Sequence, residues 1–213
     1  MIKGYIIDMD GTILDSMPIW DELSIRFLKH KGILANPNLK DILAPMSIDQ
    51  AIDYLINTYH LTQSPEELIK EVNNLLTSIY LNEVSLKPGA KEFINNCFQR
   101  NKKLCLLTAN SYPVTISVLD KYGLTNKFDQ IITGDSTTLD KQSGTIYEHA
   151  RKALMLNNNE CIVIEDAFHA ISGAKRHNFV VWAVYDSSNK SNWEQICKLS
   201  DLYFNNMSEM EVI

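Results

Sequence analysis

The sequence predicts an α/β protein with a doubly wound, mostly parallel sheet and an inserted α-helical cap. Three observations carry that expectation. First, short apolar runs at residues 5–7, 104–107, 130–133, 161–164 and 180–184, with a weaker one at 202–204, are rich in Ile, Val, Leu and Cys. They lack clean alternation, as strands buried on both faces do. Second, helical spacing fills the intervals at 89–101, 114–122, 145–156 and 168–176. Strand–helix alternation of this kind builds βαβ units. Third, the alternation breaks once, where residues 18–82 contain helical patterns at 19–31, 48–59 and 65–80 and no strand.

Each element has a local cause. Gly123 follows the second of the core helices as a left-handed stop signal, and Pro18 and Pro65 suit a first helical turn. Ser64 is a good N-cap for the helix that Pro65 opens. The α/β core is expected over residues 1–14 and 86–213, and the helical cap over 15–85, with crossings near 14–17 and 82–88.

Composition excludes several classes. The chain has 213 residues, 45% hydrophobic and 22% charged, which is ordinary for a globular protein and unlike a disordered one. Its net charge of −6 gives no global field for nucleic acid or an anionic membrane. No apolar run reaches the roughly 18 residues of a membrane span. Met1–Asp8 is too short and too soon acidic to read as a signal peptide. Cys97, Cys105, Cys161 and Cys197 form no C-x-x-C pair, so reduced thiols in a cytoplasmic protein are expected. A monomer is expected too, since no apolar face is left over.

The chemistry sits where strands end. The first is followed by Asp8-Met9-Asp10-Gly11-Thr12, two carboxylates on the carboxyl edge of the sheet. Paired acids there suit Mg²⁺, or a nucleophile beside a proton donor, or simply an acidic turn. The second ends in Thr108-Ala109-Asn110-Ser111, a hydroxyl followed by backbone N–H groups that can hold a phosphate oxygen. Lys141 lies in the loop after the third. Glu165 and Asp166 follow the fourth and open a helix. Asp/Asp, Thr, Lys and Glu/Asp at four strand ends form a set that Mg²⁺-assisted phosphoryl transfer through an aspartyl-phosphate requires. His60, His149, His169 and His177 have no metal-ligand spacing that rivals it.

This ordered set resembles the haloacid dehalogenase superfamily, over nearly the whole chain. Residues 6–16, Ile-Ile-Asp-Met-Asp-Gly-Thr-Ile-Leu-Asp-Ser, look like its first motif, and Thr108, Lys141 and Glu165-Asp166 like the second, third and fourth. The helical insert is similar to the cap of the beta-phosphoglucomutase and phosphoglycolate-phosphatase branch, and residues 164–171 resemble that branch's fourth motif. The resemblance implies Asp8 as nucleophile and Asp10 as general acid, then base. It implies Mg²⁺ held by Asp8, the Asp10 carbonyl and Asp166, supported by Glu165. It assigns Thr108, Lys141 and the backbone near Ala109 and Asn110 to the phosphoryl group of a small phosphorylated substrate. Members that cleave halides or phosphonates lack an acid at the Asp10 position, so Asp10 favours phosphate monoesters; an alkoxide leaving group needs a proton.

The chain departs from the pattern in places. Lys141 is followed by Gln142-Ser143-Gly144-Thr145, without the usual Pro and later Asp, for which Asp140 is the nearest substitute. Asn178 replaces a glycine after the fourth-motif helix, a change that asparagine's tolerance of left-handed geometry accommodates. Residues 36–59 hold only Lys40 as a basic residue, Arg26, Lys29, His30 and Lys31 read as a solvated helix face, and 43–48 lack a glycine turn. A Mg²⁺-dependent phosphatase is therefore the leading expectation. A sugar phosphomutase is the alternative and a non-catalytic binding protein the second. Trp20 and Asp21, just after the crossing, could face a substrate, although Trp20 reads first as cap core.

Overall fold

The computed structural model describes residues 1–43, 46 and 48–213, and residues 48 and 49 by their backbone alone. Residues 44, 45 and 47 of the glycine-free stretch at 43–48 thus lie outside the described residues. Among those described, the strands β1 (Gly4–Asp8), β2 (Lys103–Leu107), β3 (Gln130–Ile132), β4 (Cys161–Glu165), β5 (Val180–Val184) and β6 (Leu202–Phe204) form one sheet. Its order is β3-β2-β1-β4-β5-β6, and every pairing is parallel. All five residues of β1 and of β4 are buried, as the unbroken apolar runs require. Ile7 lies level with Leu106 on one side and Ile164 on the other.

Strand order reverses between β1 and β4. Connections leave those two strands in opposite directions, which opens a crevice at their carboxyl ends. Asp8 and Glu165 are the last residues of these two strands.

Four helices separate β1 from the rest of the core: α1 (Met17–His30), α2 (Leu39–Leu43), α3 (Ile48–Tyr59) and α4 (Pro65–Asn82). The sequence pattern anticipates three of them; α2 is a five-residue helix, too short to leave a period. Ser64 caps α4 in a full capping box with Glu67. Then follow α5 (Ala90–Gln99), α6 (Tyr112–Tyr122), α7 (Thr145–Ala153), α8 (Phe168–Arg176) and α9 (Trp193–Leu199). The short α9 is a second helix that the periodicity leaves unmarked. Gly123 closes α6 at φ 68°, and Asn178, two residues past α8, stands at φ 59°, where the family pattern has glycine.

Alternate sheet residues pack opposite ways. Tyr5, Ile7, Leu104 and Ile162 face Phe93, Val114 and Val118, while Ile6, Cys105, Leu107 and Val163 face Tyr147, Ile171 and Ala174. The inserted helices bury a separate cluster around Phe27, Leu28, Ile52, Leu55 and Leu68. All four cysteines are free, and burial pushes the Cys161 thiol up to about 11.

The two chain crossings between insert and core run side by side, with Leu14 bridged to Leu86, Asp15 N–H on Ser85 O at 3.0 Å and Lys87 N–H on Ile13 O at 2.8 Å. Beneath them, buried Lys87 pairs with buried Asp186 at 2.7 Å. Its ammonium also donates to Tyr185 O at 2.9 Å and to Gly11 O. Burial acts to raise the Asp186 carboxyl, but bonds from Lys87 and Ser188 outweigh it and hold it below the usual range. One ion pair thus ties the crossing, the loop after β1 and the loop after β5 together. Asp186→Ala leaves the Lys87 charge buried alone, so urea denaturation should show a loss of about 3 kcal/mol. The double variant with Lys87→Met should recover part of that loss.

Candidate active site

The loop after β1 turns at once. The N–H groups of Ile13 and Leu14 both donate to Met9 O at 2.9 Å. Gly11 takes φ +84°, and a Cβ there would stand 2.5 Å from Asp166 Oδ2. Only glycine permits that approach.

Asp8, Glu165 and Asp166 offer carboxylate oxygens that all lie within 4.8 Å of one another. Their residues are 6%, 1% and 2% exposed. Lys141 reaches over from the loop after β3, paired with Asp8 Oδ1 and with Glu165 Oε1 at 2.6 Å. Glu165 also accepts from Tyr147 OH at 3.2 Å, and from the N–H groups of Asp166 and Ala167 at 3.0 and 3.2 Å. Asp166 accepts from Thr12 Oγ1 at 3.3 Å and from Asn189 Nδ2 at 2.8 Å.

Asp8 Oδ2 is buried and accepts no hydrogen bond, an isolated case among the described residues. Burial, with Glu165 beside it, pushes the Asp8 carboxyl up to about 7. The same causes raise Asp166, with Asp8 adding to them. Burial alone would lower the Lys141 ammonium, yet the Asp8 and Glu165 carboxylates outweigh it and its value is raised. Fully ionised, three carboxylates against one ammonium leave two negative charges. A divalent cation on Asp8, Glu165 and Asp166 would cancel them, and Asp8 Oδ2 is an oxygen ready to bind it. The donor set fits Mg²⁺.

Asp10 stands apart from this cluster. Its carboxylate accepts from Ser16 Oγ at 2.6 Å, Tyr80 OH at 2.5 Å and Asn110 Nδ2 at 2.7 Å, with Thr108 Oγ1 at 3.4 Å. Tyr80 belongs to α4, so the inserted helices hold this acid directly. Thr108 is buried at the end of β2. Its hydroxyl accepts the Asn110 N–H at 3.1 Å, so that backbone donor, which the resemblance assigns to phosphate, already has a partner here. Ala109 is exposed.

The loop of Lys141 is seated without the proline. Gly173 of α8 lies so close that a Cβ would stand 1.9 Å from Lys141 O. Arg176 donates to Gln142 O, and His177 contacts Ser143 O at 3.2 Å. Asp140 caps the turn by accepting from Ser143 N–H at 2.6 Å; it faces solvent and does not replace the missing acid beside Lys141.

Sequence reasoning brings Asp8, Lys141, Glu165 and Asp166 to one place, and Asp10, Thr108 and Asn110 to an adjoining one. It misses Ser16, Tyr80, Tyr147 and Asn189. Asn189 carried a usable signal, since Tyr185-Asp186-Ser187-Ser188-Asn189 is a polar loop after a fifth buried strand. Ser16 closes the stretch that resembles the first motif without a role being read from it, and Tyr80 and Tyr147 sit on helices with no local mark.

Above these groups lies a cavity of about 990 Å³ between insert and core, with Thr108, Asn110, Lys141 and His169 on its core side. No helix among the described residues is long and apolar enough to cross a membrane.

The fold and these strand-end residues define a class, and residues 5–184 match the family model of haloacid dehalogenase-like hydrolases. The chain belongs to that family. Its relatives include hexitol phosphatase B of Escherichia coli (strain K12), 22% identical over 179 residues, covering 82% of this chain and 79% of the relative. A phosphorylated carbohydrates phosphatase of Thermotoga maritima is 22% identical over 174 residues, covering 82% and 81%. The fold matches the crystal structure of a protein titled a beta-phosphoglucomutase, also from Thermotoga maritima, with a TM-score of 0.77, 20% identity and coverage of 97% and 96%. The chain is an enzyme of the phosphatase type.

Gly173→Ala should push the Lys141 carbonyl away. Phosphatase activity is expected to fall about 100-fold while circular dichroism stays unchanged.

Proposed function

We propose that this enzyme is a Mg²⁺-dependent phosphatase that hydrolyses a small phosphate monoester through a phosphoaspartate on Asp8. The observation that carries the reading is the buried Asp8 Oδ2, without a hydrogen-bond donor, beside Glu165, Asp166 and the ammonium of Lys141. Sugar phosphates enter as candidate substrates from the relatives' names, hexitol phosphatase and phosphorylated carbohydrates phosphatase.

Mg²⁺ on Asp8, Glu165 and Asp166, with the Asp10 carbonyl as a further ligand, would screen the charge of the cluster and of the phosphoryl oxygens. Lys141 and Thr108 bind those oxygens, with Ala109 and Asn110 lining the approach. The Lys141 ammonium also lets Asp8 and a phosphate dianion share one cleft. A carboxylate oxygen of Asp8 attacks phosphorus. The ester P–O bond breaks, its electron pair passes to the leaving oxygen, and Asp10 donates the proton that makes it an alcohol. Asp10, now a carboxylate, takes a proton from water, which attacks phosphorus; the Asp8–phosphorus bond breaks and inorganic phosphate leaves. Tyr80, Ser16 and Asn110 position Asp10 for both transfers.

A phosphatase is favoured over a mutase because the basic residues of the insert point elsewhere. Arg26 pairs with Glu83 at 2.6 Å and with Glu22, Lys40 with Asp21 at 2.6 Å, and Lys31 with Glu71. None of these three basic residues lines the cavity. A mutase needs a cation there for a second phosphate.

Phosphate release from a panel of metabolite monoesters and an aryl phosphate tests the reading. Release with Mg²⁺, lost in EDTA and in Asp8→Asn, is the expected outcome. Release that survives both would remove the phosphoaspartate mechanism.

A further inference from the structure

The cavity's two sides differ in chemistry. Its core side is polar, with Thr108, Asn110, Ser111, Asp135, Lys141 and His169. Its helical side is lined by Trp20, Leu23 and Phe27 from α1, Leu43 from α2, and residues of α3 and α4 including Ile52, Leu55, Val72 and Leu76. Among the described residues the polar side chains on that wall are Ser24 and Asn73, and Asn73 Oδ1 already accepts from Ser111 Oγ at 3.1 Å. No described charged side chain of the insert lines it.

We infer that the substrate's leaving group is apolar: the site takes the phosphate monoester of a hydrophobic alcohol in preference to that of a polyol. This rests on the phosphatase reading above and departs from its sugar-phosphate candidates. The phosphoryl end is fixed by Thr108 and Lys141 at the floor, so the rest of the ester projects toward α1, α3 and α4. A hexitol chain there would bring hydroxyls that exchange water for leucine, valine and phenylalanine side chains, and a buried hydroxyl without a partner is unfavourable. An alkyl chain of equal length gains instead, by about fourfold in affinity per buried methylene. At about 990 Å³ the space is large for either. Chemistry of the wall, rather than size, therefore discriminates.

The test compares n-hexyl phosphate, n-butyl phosphate and sorbitol 6-phosphate, all esters of primary alcohols, so intrinsic reactivity does not favour the alkyl esters. With Mg²⁺ present, kcat/KM for hexyl phosphate should exceed that for sorbitol 6-phosphate by about tenfold or more, with butyl phosphate between them. Leu23→Asn should shrink the ratio, and Val72→Asn provides the same reading should the first variant fold poorly. Equal values, or a preference for sorbitol 6-phosphate, would overturn the inference and leave the phosphatase reading standing. Calorimetric binding of the same esters to Asp8→Asn separates the two claims. Tighter hexyl than sorbitol binding with no turnover by the unaltered enzyme would uphold the apolar site and defeat the phosphatase reading.

Discussion

Three carboxylates buried against one ammonium are the constraint on which the rest of this structure depends. Asp8, Glu165 and Asp166 would repel one another and any phosphate if Lys141 were absent. The surroundings are arranged to hold them together despite that cost. Parallel register puts the ends of β1 and β4 side by side, at the reversal of strand order. Gly11 lets the first loop close onto Asp166, and Gly173 lets the Lys141 loop close onto α8. Thr12, Tyr147 and Asn189 donate to the carboxylates from three further directions. A cluster so supported, and net negative once its carboxyls are ionised, fits the cation and anionic substrate of the proposed function.

The second acid belongs to a different environment. Asp10 is surrounded by neutral donors, and one of them, Tyr80, comes from the inserted helices. Any movement of α4 relative to the sheet would therefore be felt at Asp10, the group that the proposed mechanism asks to give and take a proton. The Lys87–Asp186 pair works beside it, joining the chain crossing to the loops after β1 and β5. Insert, Asp10 and the carboxyl edge of the sheet are thus linked by hydrogen bonds rather than by proximity alone.

The sheet was legible because its strands are buried on both faces and so appear as uninterrupted apolar runs; even the weak 202–204 run pairs with β5. The four strand-end groups were legible because a parallel sheet sends every such residue to one edge. What stayed hidden depends on tertiary approach. α2 and α9 are too short for a period. Tyr80 lies 70 positions from Asp10 in sequence, and no local pattern marks it as a partner. The Lys141 loop lacks the family's proline, and contacts from Gly173, Arg176 and His177 restrain it instead, none of which the sequence marks. Asn110 was read as a phosphate donor through its backbone, but its N–H serves Thr108 and its side chain serves Asp10.

The central claim is that the carboxylate cluster exists to hold a divalent cation. Calorimetric titration of Mg²⁺ into the unaltered protein, Asp166→Asn and Asp8→Asn tests it most directly, because it needs no substrate. The account predicts one saturable site in the unaltered protein, lost in Asp166→Asn and weakened in Asp8→Asn. Equal Mg²⁺ binding by all three proteins, or none by the unaltered one, would contradict it.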